Sequence, residues 1–277
     1  MIMIVGSYHF TREDENDTHK GTFGGRGLNL AKALQKASIP VGFTASVSQD
    51  ETGLDFLENL IENEIIFDPM MCNCEKPSLI LDSKNHPLID SNTSAPAALT
   101  QEQILSAWAA NSDVKVFYIE GDLLNWKGSS LAIREAVKKI QSRSLIYLDL
   151  AGLADNPATK AWRDEQIREL IKIADIVEID TKSQEAFALP QETAHIFVAP
   201  YRVAVHANIE KNKGYDVNEE DLKDADLDVI NPYLTDGEEQ TALLLSEFYQ
   251  RYAFGFPGGK AQLHLTENIC TGALSEF

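Results

Sequence analysis

Phe23-Gly24-Gly25-Arg26-Gly27-Leu28-Asn29-Leu30-Ala31-Lys32-Ala33-Leu34 is the stretch on which the reading of the whole chain turns. Adjacent glycines let a backbone approach a ligand closely and take positive φ, and the amide of Asn29 can both donate to and accept from a hydroxyl. That chemistry suits a polyol. The stretch is not a Walker loop, because no Lys-Ser or Lys-Thr follows the glycines. It also departs from the dinucleotide fingerprint, lacking the third glycine and, on this reading, a strand running directly into it.

Outward from the turn, strand and helix patterns alternate. Residues 2–6 read as a short buried strand, Ala31 to Ala37 as a helix, Val41 to Val47 as a strand and Leu54 to Ile61 as a helix. Leu79 to Leu81 and Leu88 to Asp90, around the polar turn Asp82 to Pro87, read as a local hairpin lying off the main sheet as a flap. Alternation then resumes with strands at Val114 to Ile119, Leu145 to Leu150 and Ile176 to Ile179, and helices at Leu131 to Ile140 and Asp164 to Ile173. Short apolar strands separated by helices predict a parallel sheet covered on both faces. Further strands are predicted at His195 to Val198 and Val203 to Ile209, an acidic solvated loop or edge over Asp216 to Asp228, and helices at Thr241 to Tyr252 and Lys260 to Ile269.

Composition narrows the function classes. A chain of 277 residues with 44% hydrophobic content can bury one large core, and a single domain is expected. A formal net charge of -19 disfavours nucleic acid and anionic membrane surfaces, which are bound by releasing counterions to a surplus of cations. The first residues are too short for a signal segment and no apolar run approaches a membrane span, so a cytoplasmic protein is expected. Cys72, Cys74 and Cys270 make no disulfide framework. Cys72-x-Cys74 reads as reduced thiols at a strand edge, because no second pair completes a four-ligand metal site.

The glycine turn has company in the right order. Gly6-Ser7 ends the first strand, the turn follows, and Ser48-Gln49-Asp50-Glu51-Thr52-Gly53 closes the next strand. Farther on come Tyr118-Ile119-Glu120-Gly121-Asp122, Leu148-Asp149, Ala174-Asp175-Ile176-Val177 and Thr271-Gly272-Ala273-Leu274. In order and spacing the chain resembles the ribokinase/PfkB family of sugar and nucleoside kinases, over nearly its whole length and most sharply in its N-terminal third. The resemblance implies a ribokinase-like α/β three-layer sandwich with a mostly parallel central sheet and a small β lid, its elements within 8–22 and 75–92. It implies Gly24, Gly25, Asn29 and Glu120 as contacts to a small-molecule sugar or nucleoside, ATP and Mg as cofactors, and a homodimer formed through the lid.

On the phosphate side the chain departs from the family pattern. The family's Gly-Ala-Gly-Asp turn supplies a nest of N–H groups and a base for the acceptor hydroxyl at a helix N-terminus. Here Asn231-Pro232-Tyr233-Leu234-Thr235-Asp236-Gly237-Glu238-Glu239 stands in its place, keeping one glycine, Gly237. Asp236, Glu238 or Glu239 holds the base position, and pairing Thr235 with the threonine that often precedes the family turn favours Glu239. The family's Asn-x-x-Glu appears as Lys182-Ser183-Gln184-Glu185, which makes Glu185 the implied Mg contact and Lys182 a cation beside the phosphates. Arg26 and Lys260 are further local groups that would meet phosphate. The family's Asp-x-Asn-x-Arg reduces to Asp149 alone, its Thr-x-Gly is absent from Val198-Ala199-Pro200-Tyr201, and His9, Phe10 and Thr11 stand where an aspartate is expected. Two functions compete: an ATP-dependent carbohydrate kinase, and a catalytically inactive sugar- or nucleoside-binding or regulatory protein on the same fold.

Overall fold

The computed structural model describes residues 1–14, 17–111, 113–150, 153, 160–179, 194–199 and 202–206. Its centre is β1 (Ile2–Val5), which pairs in parallel with β4 (Val41–Thr44) on one side and β7 (Val116–Glu120) on the other. The sheet extends past β4 to β5 (Ile66–Phe67), and past β7 to β8 (Leu145–Asp149), β9 (Ile176–Ile179), β10 (Ala194–Ala199) and β11 (Arg202–His206). All neighbours run parallel except β10 and β11.

Every residue of β1, β4, β7 and β8 is buried, because helices cover both faces. Ile2, Ile4, Tyr118 and Tyr147 face α1 (Arg26–Lys36) and α2 (Glu51–Glu62), packing among Leu28, Leu34, Phe56 and Leu60. Alternate residues Met3, Val5, Phe117, Ile119 and Leu148 face α3 (Gln101–Ala110), α4 (Lys127–Ile140) and α5 (Lys160–Ile171), which contribute Ile104, Ile133, Val137 and Ile167. This is the expected three-layer sandwich. No helix among the described residues is long and apolar enough to cross a membrane.

A second sheet of three strands joins β2 (His9–Asp14), β3 (Asp17–Gly24) and β6 (Ile80–Leu81), with β2 at its centre. The hairpin of β2 and β3 is invisible to pattern reading, since His9-Phe10-Thr11-Arg12-Glu13-Asp14 carries no apolar alternation. One consequence corrects an expectation: β3 does run into the glycine turn, with Gly25 alone between it and α1. The hairpin expected around residues 82–87 is reduced to a tight turn. Ile80 and Leu81 pair in parallel with β2, and Leu88 N–H returns to Ile80 O at 2.8 Å, but Leu88 to Asp90 is no strand. Pro87 has no N–H to give a ladder, and Asp82 closes the turn by accepting from Lys84 N and His86 N, each at 2.8 Å.

Helix α1 begins at Arg26, five residues before the periodic run suggested, and α3 was not anticipated at all. The signal for α3 lies in Thr100-Gln101-Glu102-Gln103, a reciprocal cap in which Gln103 N–H donates to Thr100 Oγ1 and Thr100 N–H to Gln103 Oε1. The helices expected at 241–252 and 260–269 and the acidic loop at 216–228 lie outside the described residues. Cys72 ends a 3-10 turn and Cys74 is buried beside Ser48, both as free thiols.

Tyr8 ties the two sheets together. Its ring stacks on Phe56 at 4.0 Å, and its hydroxyl contacts Ser78 Oγ at 2.9 Å and accepts from Ser48 N–H at 3.2 Å. Asp50, capping α2, takes Gly53 N–H, Ser78 N–H and Ser78 Oγ–H at 2.7–2.8 Å. The hydroxyl of Tyr8 therefore donates to Ser78, and burial pushes its pKa up to about 12. Tyr8→Phe leaves the buried Ser48 N–H without its acceptor and is expected to cost about 1–3 kcal/mol in denaturant unfolding. An unchanged midpoint would show that water replaces the hydroxyl.

Candidate functional site at the ends of β1 and β7

After β1 the chain builds outward to β4 and β5, then crosses back to place β7 on the opposite side of β1. The carboxyl ends of β1 and β7 thus flank a topological switch point, where open α/β sheets form a crevice. Gly6 and Ser7 leave β1 there, Glu120 ends β7, and the glycine turn starts α1 above both.

The turn depends on Gly25. Its φ of 136° and ψ of 137° lie in a region that side chains avoid, and a Cβ on it would stand 2.5 Å from the Ser7 carbonyl oxygen. Gly27 is constrained by proximity: a Cβ there would lie 2.8 Å from Glu120 Oε2 and 3.2 Å from Gly6 Cα. The exit of β1 and the first turn of α1 are therefore packed backbone to backbone.

Glu120 is the polar filling between them. Its carboxylate is buried and accepts from Ser7 N–H at 2.7 Å, Ser7 Oγ–H at 3.0 Å and Gly27 N–H at 3.3 Å. Gly25 at the N-cap has no side chain to offer, so Glu120 satisfies one of the free N–H groups of α1 and places negative charge at the positive end of the helix. Burial nevertheless raises its pKa to about 7, aided by the charge of Asp122 and opposed by the bonds from Ser7 and Gly27.

Two more buried acids continue the row. Glu120 is in register with Asp149 at the end of β8, and Asp149 with Glu178 in β9. Tyr118 OH donates to Asp149 Oδ2 and Tyr147 OH to Glu178 Oε2 at 2.7 Å, the two rings stacking at 5.4 Å. Burial first, and then the neighbouring carboxylates, hold both phenols well above their ordinary pKa. Arg26 lies across the row, Nε 2.7 Å from Asp149 Oδ2 and Nη2 3.3 Å from Glu178 Oε1. Among the described residues no group of three such side chains has the geometry to hold a metal ion.

The structure sets Gly25 against Ser7, which Glu120 holds, places Gly24 against His9, and leaves Asn29 exposed on the first turn of α1. Arg26 is not available to phosphate as expected, since two carboxylates occupy its guanidinium. Glu178, Ser7, Tyr118 and Tyr147 were not anticipated as site residues. The available signal was an acid two residues after a tyrosine inside an apolar strand, in Tyr118-x-Glu120 and Tyr147-x-Asp149. Lys182, Glu185, Asp236, Gly237, Glu238 and Glu239 lie outside the described residues.

Solved structures similar in fold include sugar and nucleoside kinases. A sugar kinase from Pyrococcus horikoshii, known also in complex with ATP, matches with a TM-score of 0.71 at 16% identity, over 98% of this chain and 90% of its own. Fructokinase with bound ATP from Xylella fastidiosa gives 0.70 at 13% identity, over 98% and 87%. Aminoimidazole riboside kinase from Salmonella enterica, complexed with aminoimidazole riboside and an ATP analog, gives 0.67 at 12% identity, over 97% and 89%. No curated protein matches the chain. The family model for the pfkB family carbohydrate kinase matches residues 2–195, most of the chain, and the protein belongs to that family.

Proposed function

We propose that the chain is a carbohydrate kinase that phosphorylates a hydroxyl of a sugar or nucleoside held against Gly24, Gly25, Asn29 and Glu120. The observation that carries this reading is the Gly25 turn, held in a glycine-only conformation at the β1/β7 switch point with the amide of Asn29 exposed on the same helical turn. Such a surface offers backbone and amide groups to hydroxyls without a strong cation. The three-stranded sheet is the proposed lid over this ligand, and a homodimer would form through it.

In this reading Mg-ATP supplies the transferred phosphoryl group. Lys182, Glu185 and Gly237 would hold it, with Glu185 on Mg, and Glu239, Asp236 or Glu238 would take the proton of the acceptor hydroxyl. One observation favours the second reading, a sugar- or nucleoside-binding protein that does not transfer phosphoryl groups. Arg26 is neutralised by Asp149 and Glu178, and the buried acids beside it leave the strand ends rich in negative charge.

Thermal unfolding separates the two. A ligand at 100 times its Kd stabilises the folded state by about 2.7 kcal/mol, so a panel of sugars and nucleosides, with and without Mg-ATP, reads directly on the midpoint. A kinase gives a shift with Mg-ATP that one sugar or nucleoside enlarges, followed by ADP release. A shift with the small ligand and none with millimolar Mg-ATP sinks the kinase in favour of the binding protein.

A further inference from the structure

The carboxylate row and its arginine are more elaborate than a helix start requires. Arg26 is the first residue of α1 and adjoins Gly25, the residue whose φ defines the turn. Its guanidinium spans acids on two adjacent strands, Asp149 of β8 and Glu178 of β9. Neither acid is free to follow it. Tyr118 holds Asp149 and Tyr147 holds the second oxygen of Glu178, and both phenols are buried in the face beneath α1. Arg26 itself is about one-fifth exposed, its side chain being 19% accessible against 0% for each acid. A planar fork can satisfy two fixed carboxylates at once, whereas an ammonium is a point charge that satisfies one.

We propose that Arg26 is a positioning residue for ligand binding: by gripping Asp149 and Glu178 it fixes Gly24 and Gly25 against the ends of the central strands. It acts through the turn and does not itself touch the ligand. The inference rests on the reading of this turn as the polyol subsite. On the β1 side Ser7 and Glu120 hold Gly27, and on the β8–β9 side Arg26 supplies the second anchor. With two anchors the turn cannot pivot about Gly25, whose φ is positive. With one anchor it can.

The test compares Arg26→Gln, Arg26→Lys and Glu178→Gln with Leu34→Ala, a core truncation in the same helix that touches neither anchor. Amide hydrogen exchange of residues 23–30, followed by mass spectrometry, needs no ligand. Binding of D-ribose, D-fructose and adenosine is measured in parallel, with Mg-ATP as a separate arm. Arg26→Gln is expected to speed exchange in 23–30 by about ten-fold relative to β1 and β7, and to weaken whichever polyol binds the wild type by about ten-fold, leaving the Mg-ATP arm unchanged. Glu178→Gln moves both readouts the same way by less, and Arg26→Lys restores part of each.

Exchange that rises uniformly, as in Leu34→Ala, or unchanged polyol affinity in Arg26→Gln, overturns the proposal and leaves Arg26 a residue of general stability. If no polyol binds the wild type while exchange in 23–30 still rises locally, the anchoring of the turn stands and the polyol reading falls. The two failures are therefore distinct.

Discussion

Gly25→Ala is expected to destabilise the protein by about 3 kcal/mol or more, a fall of about 6–12 °C in Tm for a chain of this size. Two costs add. An alanine at φ 136° sits in a region that only glycine occupies freely, and its Cβ would stand 2.5 Å from the Ser7 carbonyl oxygen. That oxygen belongs to the backbone leaving β1, which Glu120 holds through Ser7 N–H, so it cannot retreat without breaking a second contact. The variant is also expected to lose polyol-induced stabilisation even at temperatures where it is fully folded. A Tm within 2 °C of wild type would mean that the turn relaxes to an ordinary conformation at about 1 kcal/mol or less and does not depend on Gly25.

The second large effect is one of pH. Glu120 has its folded pKa raised to about 7, with an unfolded value near 4.5. Between those limits the folded state binds a proton that the unfolded state has released, so raising the pH destabilises the fold. The stability is fully present below pH 4.5 and lost as pH rises through 7. Integrated over that interval, the loss amounts to about 3 kcal/mol. Glu120→Gln is the informative variant because it is neutral throughout and of the same shape. Its Oε1 can take the N–H groups of Ser7 and Gly27 while its amide donates to a reoriented Ser7 hydroxyl. Relative to this variant the wild type should lose stability steadily from pH 5 to pH 8, read as the difference between two Tm profiles. A constant difference across that range would show that Glu120 does not titrate there.

How much of this was legible in the sequence follows from what each element buries. Ile2–Val5, Val116–Glu120, Leu145–Asp149 and Ile176–Ile179 are strands covered on both faces, and contiguous apolar runs announce them. The hairpin of β2 and β3 has too few apolar residues to show a period: Phe23 packs against Tyr8 and Phe56, and Phe10 against Phe23. Its strand character comes from pairing, which a local window cannot see. The same limit applies at the site. Gly25 and Glu120 could be singled out from order and spacing, but the partners of Glu120 stand 113 and 93 residues away along the chain, at Ser7 and Gly27. Arg26 illustrates the point in reverse. An arginine in a glycine turn invites a phosphate until the topology brings β8 and β9, with their acids, beneath it.

The row of acids also bears on how the chain finds its fold. In a strand, a shift of one residue turns every side chain to the opposite face. Were β8 to slip by one against β7, Asp149 would turn from Tyr118 and Arg26 into the layer of Ile133, Val137 and Ile167, a carboxylate among aliphatic side chains with no donor to meet it. The apolar residues of these strands discriminate poorly, because both faces are greasy and either would accept an isoleucine or a leucine. Correct alignment of the parallel strands is thus set at their carboxyl ends. The acids at the strand ends also serve as assembly marks, penalising a one-residue slip among β7, β8 and β9 before the helices close over them.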